Sequence, residues 1–264
     1  MTYNFEDYFK RLQIEPEIPS LELVEALQKK HIATFSFNNI AVLLDKPISL
    51  DIEDILEKIV TKNLGGYCFE HNALMYEVLK SLGFDVRILM AKVLNNKEAD
   101  VPRTHRITLL EWENEQYIVD VGFGAMTAPQ VLNIRDTHIK EGYRMVVKSN
   151  DIYQLEVVKG DDFFSLYRFD LGQYTQSDCI MGNFYSSQHP SAVFVNNFVI
   201  SLRLSEVTLS FRNGIYHRIN KDEREILEVK DVKQLQSIVN NDFSIPLELD
   251  ECKKLYDKMI RLSK

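Results

Sequence analysis

Apolar residues recur along this chain at two different periods, and the change from one to the other divides it. Leu21, Val24, Leu27 and His31 follow the start signal Pro19-Ser20 at helical spacing. Asp51 opens a second helix, in which Ile52, Ile55, Leu56, Ile59 and Val60 form one apolar stripe that stops near Asn63. A third helix runs from about Cys68 to Leu82, with Ala73, Tyr76 and Leu79 on one side and Gly83 as its stop. Beyond Gly83 the period drops to two. Residues 86–94 alternate as a strand does, and 106–112 and 116–121 are the arms of a hairpin that reverses near 113–116. Further strands are expected over 143–147, 152–158, 163–169, 194–202 and 206–211, and closing helices over 231–239 and 249–262. Helices, then strands, then a mixed end predict an α+β protein in three units, residues 1–84, 85–190 and 191–264.

Composition narrows the class of protein. Of the 264 residues 45% are hydrophobic and 27% charged, which excludes a disordered, collagen-like or coiled-coil chain. The 31 Lys and Arg against 39 Asp and Glu leave a net charge of −8, the wrong sign for general nucleic-acid binding. Three cysteines, Cys68, Cys179 and Cys252, make no disulfide framework. The N-terminus lacks the basic and apolar regions of a signal peptide. No apolar run approaches the roughly 18 residues that span a bilayer. The expected location is the cytoplasm.

Chemistry concentrates where the few glycines do. Four of the ten fall at Gly65-Gly66, ahead of Cys68, and at Gly122 and Gly124, just after Asp120. A cysteine at a helix start feels the positive end of the helix dipole, which favours the thiolate. A nucleophilic cysteine needs a base, and the base needs an orienting acceptor. The hairpin brings His105 opposite the strand end that carries Asp120, so the two can serve in those roles. Taken singly, each is more often an ordinary core, turn or surface residue. Cys68, His71, His105 and Asp120 are also possible zinc ligands, but a Cys-x-x-His pair with no second close pair matches a structural zinc site poorly.

The segment Gly65-Gly66-Tyr67-Cys68-Phe69-Glu70-His71-Asn72 resembles the active-site signature of the arylamine N-acetyltransferases. Thr104-His105-Arg106-Ile107-Thr108-Leu109 resembles their histidine segment, and Tyr117-Ile118-Val119-Asp120-Val121-Gly122-Phe123-Gly124 their aspartate segment, in the same order and at fitting spacings. Weaker likeness at Ser36-Phe37-Asn38-Asn39 and from Ser187 to Phe194 carries the resemblance over most of the chain. It implies an N-terminal helical bundle bearing the cysteine, a central antiparallel β-barrel bearing the histidine and aspartate, and a C-terminal α/β lid. The core would be like that of cysteine proteases and transglutaminases. It implies Cys68, His105 and Asp120 as a catalytic triad, with acetyl-CoA as acyl donor and an arylamine, arylhydrazine or N-hydroxyarylamine as acceptor. The route would be ping-pong through an acetyl-cysteine. Phe37, Val93, Phe123 and Phe194 would line the acceptor pocket, and Thr104, Gly122 and Gly124 would meet the cofactor. No metal, nucleic acid, membrane or obligate protein partner is implied.

Coenzyme A is polyanionic, and Lys92, Lys97, Arg103 and Arg106 cluster ahead of and beside His105 as candidate cations. Two positions depart from the family pattern. Leu64 stands where an Arg is usual and Asn38 where a Glu is usual, a pair that forms an ion pair near the family's active site. Losing both partners can be nearly neutral where losing one strands a charge, so the two changes read as a matched replacement. Competing functions are an amide synthase fed by a carrier protein, a CoA-independent cysteine hydrolase or transglutaminase-like enzyme, and a degenerate homologue that only binds. His71, Cys179 and Cys252 receive no role.

Overall fold

A computed structural model describes residues 3–16, 18–97, 100–149, 151–221 and 223–262. The expected N-terminal helices form. Helix α1 (Glu6–Leu12) precedes α2 (Leu21–Thr34), whose start is capped where the Leu23 N–H donates to Ser20 Oγ at 3.2 Å. A two-residue strand β1 (Phe37–Asn38) and the single turn α3 (Ile40–Leu43) follow. Helix α4 (Ile52–Ile55) widens directly into a π turn (Leu56–Thr61), and α5 (Cys68–Ser81) carries the candidate nucleophile at its first position. The apolar stripes meet in one cluster that buries Tyr8, Leu12, Leu27, Ile55, Ile59 and Val78. At about 25 cal/mol per Å² of apolar surface removed from water, such burial is the main stabilising term of the unit.

The period-two region folds as β2 (Asp85–Val93), β3 (Arg103–Trp112), β4 (Glu115–Val119), β5 (Leu132–Asn133), β6 (Tyr143–Ser149), β7 (Ile152–Lys159) and β8 (Asp162–Asp170). All pair antiparallel in the order β5-β4-β3-β2-β8-β7-β6. The edge strands β5 and β6 lie against each other, so the sheet nearly closes into a barrel around Leu89, Ile107, Leu109, Leu155 and Leu166. The β3–β4 reversal falls at Glu113-Asn114, with φ of 51° and 66°. Two successive left-handed residues give the tight turn that matches strand twist.

The last unit holds α6 (Gln176–Gln188), α7 (Val193–Asn196), β9 (Val199–Arg203), β10 (Thr208–Arg212), β11 (Ile215–Ile219), β12 (Arg224–Glu228), α8 (Val232–Ser237) with a second π turn (Ile238–Asp242), and α9 (Leu249–Leu262). Its five-stranded sheet runs β1-β9-β10-β11-β12, with Phe37 opposite Ser201. The N-terminal unit therefore lends a strand to the C-terminal sheet. Among the described residues no helix is long and apolar enough to cross a membrane.

One expectation is corrected here, and one helix was not foreseen. The strand expected over 194–202 begins only at Val199, because Asn39 Nδ2 donates to the carbonyls of Phe194 and Asn197, each at 2.7 Å, and holds that stretch as α7. Helix α6 has no apolar stripe to announce it. Its buried residues are the small Cys179, Gly182 and Ser186, while Ile180, Met181 and Phe184 face outward. A Cβ at Gly182 would stand 2.7 Å from the Phe69 ring, so the small face is what lets α6 lie close.

The two departures from the family pattern lie together. Asn38 Nδ2 donates to the Leu64 carbonyl at 3.0 Å and to the Ser36 carbonyl at 3.4 Å, while Asn38 Oδ1 accepts the Ile40 N–H at 3.0 Å. Leu64 packs on the C-terminal apolar cluster. Leu64→Arg alone puts an unpaired cation among those side chains and is expected to cost about 3 kcal/mol. Adding Asn38→Glu supplies its counter-charge and recovers part of the loss. Thermal midpoints of the single and double variants check this; equal midpoints contradict it.

Candidate active site

Cys68 opens α5, and the first turn closes on itself: the Tyr67 N–H donates to Glu70 Oε2 at 3.1 Å. Asn72, one helical turn beyond Cys68, ties the helix to the hairpin. Its Nδ2 donates to Asp120 Oδ1 at 2.9 Å and to the Arg106 carbonyl at 2.6 Å, and its Oδ1 accepts the Val121 N–H at 2.9 Å. The β3–β4 ladder ends at Thr108 opposite Val119, and past that end Asp120 Oδ2 meets His105 Nε2 at 2.8 Å. The Gly122 N–H donates to Asp120 Oδ1 at 2.9 Å. From α2, Gln28 Oε1 accepts the Asp120 N–H at 3.2 Å, while its amide nitrogen donates to the carbonyls of Ala128 and Gln130.

Asp120 is buried, and desolvation alone would push its carboxyl up. The His105 charge and hydrogen bond, with the Asn72 and Gly122 donors, outweigh that and hold it below the usual range. Burial pushes the Cys68 thiol up, and the Asp120 charge adds to it, against weaker donation from the Phe69 and Arg106 N–H groups. The thiol donates to the Thr104 carbonyl, with sulfur and oxygen 3.6 Å apart. A helix-start dipole, worth about 0.3–1 kcal/mol at an exposed site, therefore does not by itself make Cys68 a thiolate.

Cys68 and His105 open into one cavity of about 300 Å³. Phe37, Val93, Phe123 and Phe194 all line it, as do Thr104, Gly122 and Gly124. The His105 ring is held between Phe123, 5.0 Å away between centroids, and Tyr167, 5.1 Å away. Gly122 is required by close packing. A Cβ there would fall 2.8 Å from the Cys68 Cα and 2.7 Å from Asn72 Nδ2. Gly124 has φ of 71°, a left-handed position that suits glycine.

The cation cluster read from the sequence is not assembled at this cavity; among the described residues none of the four lines it. Arg106 is 2% exposed, on the other face of β3, stacked over Tyr76 and donating to Gln176 Oε1 at 3.2 Å. Arg103 pairs with Asp170 and lies over the Tyr174 ring, and Lys92 pairs with Asp100 at 3.6 Å. Among the described residues the cation that does line the cavity is Arg212, at the end of β10, with its guanidinium 3.1 Å from Asn197 Oδ1. Nothing in the sequence ties Arg212 to Cys68. Asn72 did carry a signal, since four residues along a helix share a face.

His71 is turned away from the hairpin. Its Nε2 faces the carbonyls of Gly66 at 3.1 Å and Ser36 at 3.3 Å, which only accept, so that nitrogen carries the proton. His71 Nδ1 then accepts from His31 Nε2 at 2.8 Å, and His31 Nδ1 accepts from the Tyr8 hydroxyl at 3.0 Å. A further proton at His71 Nδ1 would face the N–H of His31 Nε2, donor against donor. Cys179 is buried 3.8 Å from Met90 Sδ, and Cys252 is buried in the C-terminal cluster.

Residues 20–252 match the family described as N-acetyltransferase. The chain is 35% identical over 256 residues to the arylamine N-acetyltransferase of Escherichia coli K12, covering 94% of this chain and 91% of that one. It is 33% identical to the arylamine N-acetyltransferase / N-hydroxyarylamine O-acetyltransferase of Salmonella typhimurium, covering 93% and 90%. The solved arylamine N-acetyltransferase from Salmonella typhimurium superposes with a TM-score of 0.90 at 31% identity, over 97% of this chain and 98% of that one. A Mycobacterium marinum arylamine N-acetyltransferase solved in complex with CoA shares the fold, with a TM-score of 0.90 at 24% identity over 98% and 99%. The chain is thus an acetyltransferase by family. It belongs to the arylamine N-acetyltransferases.

The buried imidazoles set an acid limit. Burial holds His31 well below the usual histidine range, with His71 adding to it, and burial drives His71 down to about 4. Unfolded histidines take up protons below about pH 6.5. The network's contribution is therefore complete above about pH 6.5 and is lost as pH falls toward 4. For His71 the loss is about 3 kcal/mol by pH 4. Thermal melts between pH 7.5 and 4.5 should fall more steeply for the unmodified protein than for His71→Gln. Parallel curves contradict the assignment.

Proposed function

We propose that the protein transfers an acetyl group from acetyl-CoA to an aromatic amine, hydrazine or N-hydroxyarylamine by a ping-pong route through acetyl-Cys68. The observation that carries this is that Cys68 and His105 open into one cavity while buried Asp120 holds Nε2 of the His105 ring. An isolated thiolate is disfavoured at this depth, so the thiol proton passes to His105 and leaves a thiolate–imidazolium pair stabilised by Asp120. The sulfur attacks the thioester carbonyl, the carbon–sulfur bond to CoA breaks, and the departing thiolate takes the proton from His105. The amine nitrogen then attacks the acetyl-cysteine. Its proton passes through His105 to the departing Cys68 sulfur, giving the amide and free enzyme. Aromatic amines suit this step because their nitrogen is largely unprotonated near pH 7.

A cavity of about 300 Å³ is at the small end of ligand sites. It has room for the thioester end of the donor or for one aromatic acceptor in turn, which favours two half-reactions over a ternary complex. Phe37, Val93, Phe123 and Phe194 give the acceptor apolar walls. Arg212 is the cation we assign to the donor's phosphates, in place of the cluster ahead of His105. The reducing interior of a cell suits three free cysteines.

Intact-protein mass spectrometry after mixing with acetyl-CoA and no amine tests the proposal. One added acetyl group is expected, absent in Cys68→Ala and discharged by an arylamine. An unmodified mass would overturn the acetyl-enzyme and point to another acyl donor or to a hydrolase.

A further inference from the structure

Glu70 is a carboxylate folded back over the residue that has to become an anion. It is 1% exposed, and its Oε2 accepts the Tyr67 N–H, from the residue just before Cys68. The missing side chain of Gly66 makes room for it, since a Cβ there would stand 2.8 Å from Glu70 Oε2. The carboxylate thus orders the turn that presents Cys68. The same negative charge opposes a thiolate two residues away, and it is among the influences that push the Cys68 thiol up.

Among the described residues one side chain, Lys58, forms an ion pair with this charge. Lys58 Nζ donates to Glu70 Oε1 at 2.5 Å, with the lysine 23% exposed and the carboxylate almost sealed. Lys58 belongs to the π turn after α4, a geometry often found beside functional sites. Its carbonyl accepts the Leu64 N–H at 2.9 Å, which fixes the end of that turn against the Gly65-Gly66 loop. An ammonium on a solvent-reaching stem is suited to this place, because it neutralises a buried anion without being buried itself.

We infer that Lys58 is a positioning residue for Cys68, which it serves by holding Glu70 as a net-neutral pair, so that Glu70 can order the helix start without repelling the sulfur anion. This rests on Cys68 reacting as a thiolate, as in the proposed function. The charged and titratable groups about the sulfur are His105 and Asp120 from the hairpin and Tyr67 and Glu70 from its own helix start. Those about Glu70 are Lys58, Tyr67 and His71, the last held neutral in its network. Only the Lys58–Glu70 charge balance changes in the variants below.

The test follows alkylation of Cys68 by iodoacetamide against pH, read by mass on the Cys68 peptide of the full chain. It needs neither acetyl-CoA nor an amine, so it is independent of whether acetyl-CoA is the true donor. Lys58→Met is expected to move the midpoint of the profile up by about one pH unit and to slow alkylation at pH 7 about tenfold. Lys58→Met with Glu70→Gln should return the midpoint to within a few tenths of a unit of the unmodified protein. Lys58→Arg should leave it in place. A merely structural ion pair would lower the thermal midpoint of Lys58→Met and leave the alkylation profile where it was, which would overturn the inference. Should Lys58→Met fail to fold, Glu70→Gln alone decides the matter. It leaves the ammonium unopposed and must move the midpoint down; an unchanged midpoint overturns the inference equally.

Discussion

A charged carboxylate sealed from water has to be satisfied on every side, and Asp120 is such a group. Each partner that satisfies it comes from a different element: Asn72 from α5, His105 from β3, and the Gly122 amide from its own turn, with Gln28 of α2 holding its backbone. Leaving such a charge short of donors costs several kcal/mol, so the helical unit and the barrel are locked in one relative position. Close approach follows from the same constraint. Gly122 has no space for a Cβ because the start of α5 lies directly on it.

Polar groups inside the helical unit are used in a similar way. Tyr8, His31 and His71 form a chain with one consistent direction of donation, ending on the carbonyls of Ser36 and Gly66 next to the Cys68 loop. Asn38 adds neutral hydrogen bonds, from its amide nitrogen to the carbonyls of Leu64, at the start of the same loop, and of Ser36. A fully satisfied buried network specifies one arrangement of backbone, whereas apolar contacts alone tolerate several. The loop that presents Cys68 is thus positioned from below by neutral polar groups and from the side by the Lys58–Glu70 pair.

The cavity is built from all three parts of the chain, with Phe37 from β1, the Cys68 helix, the hairpin, and β9 and β10 contributing walls. The strand lent by the N-terminal unit to the C-terminal sheet makes this possible, since it places Phe37 beside Ser201, 164 positions further along the sequence.

Much of this was legible before any coordinates. The stripe from Ile52 to Val60, the Ser20 start of α2 and the hairpin that joins His105 to Asp120 are local patterns, and local backbone preferences decide them. The motif residues Cys68, His105 and Asp120 could be read in order. So could the seven residues expected about them, each of which lines the cavity. Other features depended on contacts that no local pattern encodes. Small buried residues hid α6, and a distant asparagine turned Phe194 into a helix. Neutral and charged partners elsewhere captured Lys92, Arg103 and Arg106, and β10 brought Arg212 to the cavity. By itself the sequence determined which residue types stand at which spacings, and with them the elements and the candidate chemistry. Tertiary structure alone decided which charges are buried, which partners neutralise them and which cation reaches the site, because desolvation and Coulomb energies depend on distances in space rather than along the chain.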